Sequence, residues 1–402
     1  MKLKQALLAG AAVVLAAGGA SAQISGDVVK IGVLNDQSSL YADITGQGSV
    51  AAARLAVEDF GGTVNGKKIE IIFADHQNKP DVGSNIARQW MDRDGVDVIV
   101  DVPTSSVALA LAPLIKEKNK VFVNSGAATS DLTGKACQPT TVHWTYDTIA
   151  LSKGTGGAVV KAGGDTWFFL TSDYAFGHAL ERDTSNVVTA SGGKILGQVR
   201  HPLNTSDFSS FLLQAQASKA KIIGLANAGG DTINSIKQAS EFGIVAGGQK
   251  LAGLLVFVND IHALGLQTAQ GLQLTSAFYW DQNDETRAFA KRFEAVMKKK
   301  PSMIQAGVYG GVTHYLKAVK EANTDEGDKV VAQMKKMPIN DFMTKNGSVR
   351  EDGRVNRQMY LFEVKKPGES KGPWDYYKLV RAIPGEEAFR PLKDGGCSFV
   401  KG

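Results

Sequence analysis

Cysteine is nearly absent from this chain: Cys137 and Cys397 are the only two in 402 residues. Two cysteines and six scattered histidines make no metal-ligand cluster, so neither metal nor cofactor is expected. There is no P-loop, HExxH or GxSxG. "GTGGAVVKAGG" (154–164) imitates a nucleotide loop, but it precedes a strand where phosphate binding needs one before it. Asp75-His76 follows a strand and could serve acid–base chemistry, yet it reads better as a polar strand end. An exported enzyme is therefore a distant alternative only. Charge of one sign is lacking too. The formal charge is +5, or +3 without Lys2 and Lys4, and no Lys/Arg stripe carries interleaved aromatics. Nucleic acid is excluded as a partner. The short run Lys298-Lys299-Lys300 closes an amphipathic helix and complements its dipole. Beyond residue 22 no stretch is long and apolar enough to span a membrane.

What is present begins with a leader. "MKLKQ" carries two lysines, "ALLAGAAVVLAAGGA" is apolar, and Ala20-Ser21-Ala22 precedes Gln23. That is the plan of a secretory signal peptide, residues 1–22. No cysteine near the cleavage point offers a lipid anchor. About 380 residues then remain, enough for two domains. An exported chain meets an oxidising compartment, where two cysteines suggest one disulfide, Cys137 to Cys397.

Strand and helix alternate through two series. The first runs from "DVVKIGVL" (27–34) and the helix "TGQGSVAAARLAVEDFGG" (45–62) to "KVFVNS" (120–125). The second starts at "GGDTWFFLTSD" (163–173). It passes a helix at 206–220, capped by Ser206 or Asp207, and ends in a strand "LAGLLVFV" (251–258). Repeated β-α-β units predict α/β architecture, with parallel sheets flanked by helices in two Rossmann-like lobes. The loops after the first strands match as well, holding Tyr41-Ala42 and Tyr174-Ala175. Ligands of open parallel sheets bind beyond the carboxyl ends of the strands, so both lobes can face one cleft. Elements after about 280 complete the lobes and add no third domain.

"VFVNSGAATSDLT" (121–133) starts as a strand and then turns to small residues. Gly126, Ala127, Ala128 and Thr129 can offer N–H groups at close range. Thr104, Ser105 and Ser106 also follow a strand and open a helix, so their hydroxyls and N–H groups meet a positive dipole end.

The leader, "VVKIGVLND", "AAARLAVEDFGG", "EIIFADHQNKPD", "PTSSVALALAP", "GAATSDLT" and "SDYAFG" occur in an ordered set. This set resembles the type I periplasmic binding proteins, and within them the leucine/isoleucine/valine-binding receptors of ABC importers. The likeness covers the chain beyond the leader. It implies a three-crossover hinge near residues 147, 278 and 355. Lobe 1 would be 23–147 plus 279–353, and lobe 2 would be 148–278 plus 354–402. It implies a monomeric periplasmic receptor that closes on a small carboxylate and delivers it to a membrane permease.

Two departures from the family bear on the ligand. Where its amino-acid receptors place a threonine after two alanines, this chain has Ala128 and then Thr129. Either the hydroxyl shifts by one residue or the contact is backbone only. The family's glutamate for the ligand ammonium aligns with Phe257 to Asn259, with Asp260 just beyond. Asn227 and Asp231, around "NAGG", are the other polar candidates, and Asp231 also reads as a helix cap. Tyr41 and Tyr174 match family tyrosines that touch ligand. Tyr279-Trp280 and Tyr309 could complete an aromatic sandwich. The chain is similar to the subgroup that takes aromatic acids of lignin origin. A benzoate- or cinnamate-type acid is thus expected. A branched-chain or other amino acid, met by Asp231 or Asp260, is the alternative.

Overall fold

The computed structural model describes residues 23–401, so the expected leader lies outside the described residues. Six strands form the first sheet: β1 Val28–Asn35, β2 Thr63–Val64, β3 Lys67–Asp75, β4 Val98–Asp101, β5 Val121–Asn124 and β6 Thr141–His143. Their order is β2-β3-β1-β4-β5-β6, parallel except for the short β2–β3 pair. Period-2 alternation explains how the sheet is covered on both faces. Val98, Val100, Val121 and Val123 join the core under helices Gly46–Phe60 and Met303–Ala322. Ile99 and Phe122 point the other way, into the core under Pro80–Asp92 and Ser105–Glu117.

The second lobe repeats the pattern. Strands β7 Thr166–Ser172, β8 Lys194–His201, β9 Ile222–Ala226 and β10 Lys250–Gly253 are parallel in the order β10-β9-β7-β8. Trp167 and Phe169 face one core, Phe168 and Leu170 the other. Beside it lies β11 Gln273–Ser276. After the short pair β12 Ser348–Val349 and β13 Val355–Asn356 come β14 Met359–Val364 and β15 Tyr377–Ile383. β11, β14 and β15 are antiparallel, beside the parallel strands of the β-α-β series.

Two local boundaries also differ from the sequence reading. The helix expected from 206 is Ser209–Ala217, because Asp207 turns its carboxylate onto the Ser209 N–H and hydroxyl one step earlier. The strand expected over 251–258 stops at Gly253. Leu254 to Phe257 then form a buried loop before the helix Val258–Leu264.

Where the chain crosses between lobes, the segments are bound to one another. His143 pairs in parallel with Arg354. The buried Arg354 guanidinium donates to the Tyr146 carbonyl at 2.8 Å and stands 3.8 Å from Asp147. Burial lowers its pKa to about 9, against the pull of Asp147. Beyond β15 the chain returns to the first lobe, where Cys397 is disulfide-bonded to Cys137. The Arg390 side chain donates to the Ser130 carbonyl at 2.6 Å.

Candidate ligand-binding site

The carboxyl ends of β1, β4, β5, β7, β9 and β10 all deliver loops to one cavity between the lobes. The atom-free space there, open solvent at its mouth included, is about 240 Å³. The first lobe supplies Tyr41, Ile44, Pro103, Gly126, Ala128 and Ile304, the first crossing supplies Tyr146, and the second lobe supplies the rest. Those are Tyr174, Phe176, Ala228, Leu255 and Phe257. No acidic or basic side chain is in this wall.

Local sequence fixes each wall residue. Asp36 shapes the loop before Tyr41 by accepting N–H groups from Ser39 and Tyr41, each at 2.9 Å. Burial works to raise its pKa, but bonds from Asn78, Ser39 and Tyr41 hold the carboxyl below the usual range. Ile304 sits in the first turn of Met303–Ala322, fixed by a Ser302–Gln305 capping box. The Ser302 hydroxyl also donates to the Ile44 carbonyl at 2.7 Å, tying two wall residues together. At Gly177 an added Cβ would lie 2.0 Å from the Ser172 carbonyl oxygen, so glycine lets the helix bearing Phe176 start this close to β7.

Across the cleft the Tyr41 and Tyr174 hydroxyls meet at 2.6 Å. The Gly230 N–H donates to the Leu40 carbonyl at 3.3 Å. These contacts between lobes describe a closed form.

The small-residue loop turns its carbonyls into the protein. The Gly126 carbonyl accepts the Tyr146 hydroxyl at 2.7 Å. That of Ala127 accepts Asn124 Nδ2 at 2.8 Å, with His143 Nε2 at the same distance. The Ala128 carbonyl accepts the Thr148 N–H at 2.8 Å. Thr129 donates its N–H to Ser105 Oγ at 3.2 Å, which leaves the Ser105 hydroxyl hydrogen to donate elsewhere. The N–H groups of Ala128, Ser105 and Ser106 have no acceptor among the described residues. Unbonded N–H donors suit an anion, and of these three residues Ala128 lines the cavity while Ser105 and Ser106 stand outside its wall.

Other expected residues lie differently. The Thr104 hydroxyl is committed to Asn78 Oδ1. Thr129 Oγ1 accepts the Asp131 N–H at 3.4 Å as a cap. Asn227 is bound inside its own lobe by Thr232 and His201. Asp231 accepts the N–H groups of Asn204 and Thr205 at 3.1 and 2.8 Å. Asp260 accepts the Phe257 N–H at 2.9 Å. Burial pushes the carboxyl pKa values of both Asp231 and Asp260 up to about 7. Neither is in the cavity wall. The Asn259 amide is buried with no hydrogen-bond partner among the described residues. Tyr279 and Trp280 both donate to the Trp374 carbonyl, at 2.9 and 2.8 Å. Tyr309 donates to Asp59 at 2.6 Å. These three rings stand outside the wall, and the aromatic lining comes from Tyr146, Phe176 and Phe257 in their place. The sequence carried a signal for Phe176, which follows the repeated Tyr-Ala by one residue. Phe257 was masked because it extended a run that reads as strand.

Two α/β lobes closing over an apolar cavity, with the Ala128 backbone in its wall, define a receptor for a small solute. The chain belongs to the periplasmic binding protein family, whose model matches residues 28–372. It is 58% identical to a periplasmic binding protein of Burkholderia mallei, with a TM-score of 0.92 over 93% of this chain and 100% of that one. It is 43% identical to a Burkholderia xenovorans protein described as a branched chain amino acid ABC transporter periplasmic ligand-binding protein. There the TM-score is 0.82, covering 92% and 99% of the two chains. A solute binding protein of an ABC transporter from Rhodopseudomonas palustris, solved with 3,4-dihydroxy benzoic acid, shares the fold. Its TM-score is 0.81 at 24% identity, over 90% and 98% of the chains. The protein is thus a solute-binding receptor of the ABC transporter class.

Proposed function

We propose that the receptor captures a small aromatic carboxylic acid of benzoate or cinnamate type. The observation that carries this reading is the wall itself. Rings of Tyr41, Tyr146, Tyr174, Phe176 and Phe257 surround a cavity with no carboxylate for an ammonium. The ligand carboxylate would take the N–H of Ala128 and the Ser105–Ser106 end of the helix. The rings would hold the aromatic body, at about 0.5–1.5 kcal/mol per ring pair beyond area burial. The benzoate-type ligand of the Rhodopseudomonas palustris relative is consistent with this. Lobe 1, 23–147 plus 279–353 with the tail beyond β15 packed on it, and lobe 2, 148–278 plus β14 and β15, would close on the acid in the periplasm after signal-peptide removal. The closed monomer would then dock on a membrane permease.

An amino-acid ligand is the second reading, favoured by the description of the Burkholderia xenovorans relative. Against it, both Asp231 oxygens already accept backbone N–H groups. A thermal-shift screen separates the two, since ligand raises the melting temperature by mass action. Stabilisation by benzoate and 4-hydroxycinnamate, with little from leucine or valine, is expected. The reverse ranking would sink the aromatic reading.

A further inference from the structure

The loop bearing Ala128 and Thr129 is held from the opposite lobe as well as its own. Asp183 lies within the second-lobe helix Ala175–Ala190 and is 3% exposed. Its Oδ2 accepts the Ser130 hydroxyl at 2.7 Å and the Thr148 hydroxyl at 2.5 Å. Its Oδ1 accepts Arg182 Nε at 2.9 Å. Thr148, on the first crossing, completes the circuit. Its Oγ1 accepts the Ser130 N–H at 3.1 Å, and its own N–H holds the Ala128 carbonyl. Arg182 also donates to Ser130 Oγ at 3.0 Å and pairs with Asp131 at 3.3 Å. Arg390 holds the Ser130 carbonyl from the tail. Asp183 itself is not in the cavity wall.

A buried carboxylate is tolerated when charge and hydrogen bonds compensate it, and Asp183 has both. Two of the three partners come from outside its helix. One is the residue that directly follows the cradle, and the other sits where the chain crosses.

We propose that Asp183 is a positioning residue for ligand binding, fixing the Ala128–Ser130 backbone from the second lobe so that the cradle is held in place by both lobes. This rests on the reading of the ligand as a carboxylate held by that loop. A cradle whose backbone is fixed in this way keeps its N–H groups on the bound carboxylate and slows ligand escape. It does little for the first encounter.

Stopped-flow binding of 4-hydroxybenzoate tests the rate, and amide hydrogen exchange without ligand tests the tether. In Asp183→Ala the release rate should rise at least tenfold, with the association rate within twofold. Asp183→Asn keeps an oxygen for the two hydroxyls and should recover most of the loss. The Ser130 amide should lose protection in Asp183→Ala while Phe122 and Val123 keep theirs. Wild-type release together with unchanged Ser130 protection overturns the proposal. If the wild-type protein binds none of the acids, the ligand reading fails. The exchange arm then still decides the tether: lost protection supports it and unchanged protection overturns it. Should Asp183→Ala not fold, Ser130→Ala removes one arm of the bridge. It should speed release two- to tenfold, and unchanged release would overturn the proposal.

Discussion

The phenol oxygens of Tyr41 and Tyr174 lie 2.6 Å apart, one from each lobe. A net hydrogen bond contributes about 0.5–1.5 kcal/mol. Tyr174→Phe is expected to weaken 4-hydroxybenzoate binding about two- to tenfold by removing this closure contact. Tyr174→Ala also removes a wall ring and should weaken it at least tenfold, with the fold retained by circular dichroism. Isothermal titration reads both, and unchanged affinity in Tyr174→Ala would take the residue out of the site.

Gly126 is where the wall has no room. An added Cβ would stand 2.6 Å from the Pro103 Cα and 2.9 Å from Asp101 Oδ1. Pro103 is itself a wall residue, so it cannot retreat without disturbing the cavity. Overpacking of this kind costs about 1–3 kcal/mol. Gly126→Ala should lower the melting temperature and reduce affinity at least tenfold. A variant with wild-type affinity would place the ligand elsewhere.

Acid should stabilise the fold. Burial pushes Asp101, Asp231 and Asp260 up to about 7. Between the ordinary carboxyl value and about 7 the folded chain holds more protons than the unfolded one, so stability falls as pH rises. The melting temperature without ligand should therefore decline from pH 5 to pH 8. Asp101→Asn should flatten that decline, because Asp101 Oδ1 has no hydrogen-bond partner among the described residues and an amide can replace it. An Asp101→Asn profile parallel to wild type would show that Asp101 does not titrate there.

The disulfide closes a sequence separation of 260 residues. Chain-entropy arguments give such bridges up to about 5 kcal/mol. Replacing both Cys137 and Cys397 by serine should lower the melting temperature by several degrees. Exchange protection should fall first around Arg390, whose bond to Ser130 lies near the bridge. An unchanged melting temperature would mean that packing alone holds the tail.

The alternation of strand and helix was legible because period-2 and period-3.6 patterns are local, and the family likeness supplied the closure of two lobes. Tyr41, Gly126, Ala128 and Tyr174 were legible as wall residues for the same reason, since they follow predicted strands. Tyr146 and Leu255 were not, and Phe257 was legible only as one end of the stretch that aligns with the family's glutamate. Each is a large apolar residue that local pattern assigns to core, and only the third dimension shows that one side of it faces a cavity. Tyr279 and Tyr309, expected beside the ligand, lie outside this wall. They are aromatic residues near lobe boundaries whose hydroxyls found partners in Trp374 and Asp59. The antiparallel β14–β15 pair went unassigned, although the link Lys365 to Tyr376, with Pro367, Gly368, Gly372 and Pro373, leaves no room for the crossover helix that a parallel pair needs.

Arg354 gives the hinge a mechanical character. Segments that cross between two bodies can bend one by one, like loose threads. Here the third is pinned to the first through a guanidinium that grips the Tyr146 carbonyl. The two segments are thereby joined by a bond that does not depend on the chain between them. The tyrosine at that bond is also a wall of the cavity. One residue thus has its ring against the cavity and its carbonyl on the bond that joins the two segments.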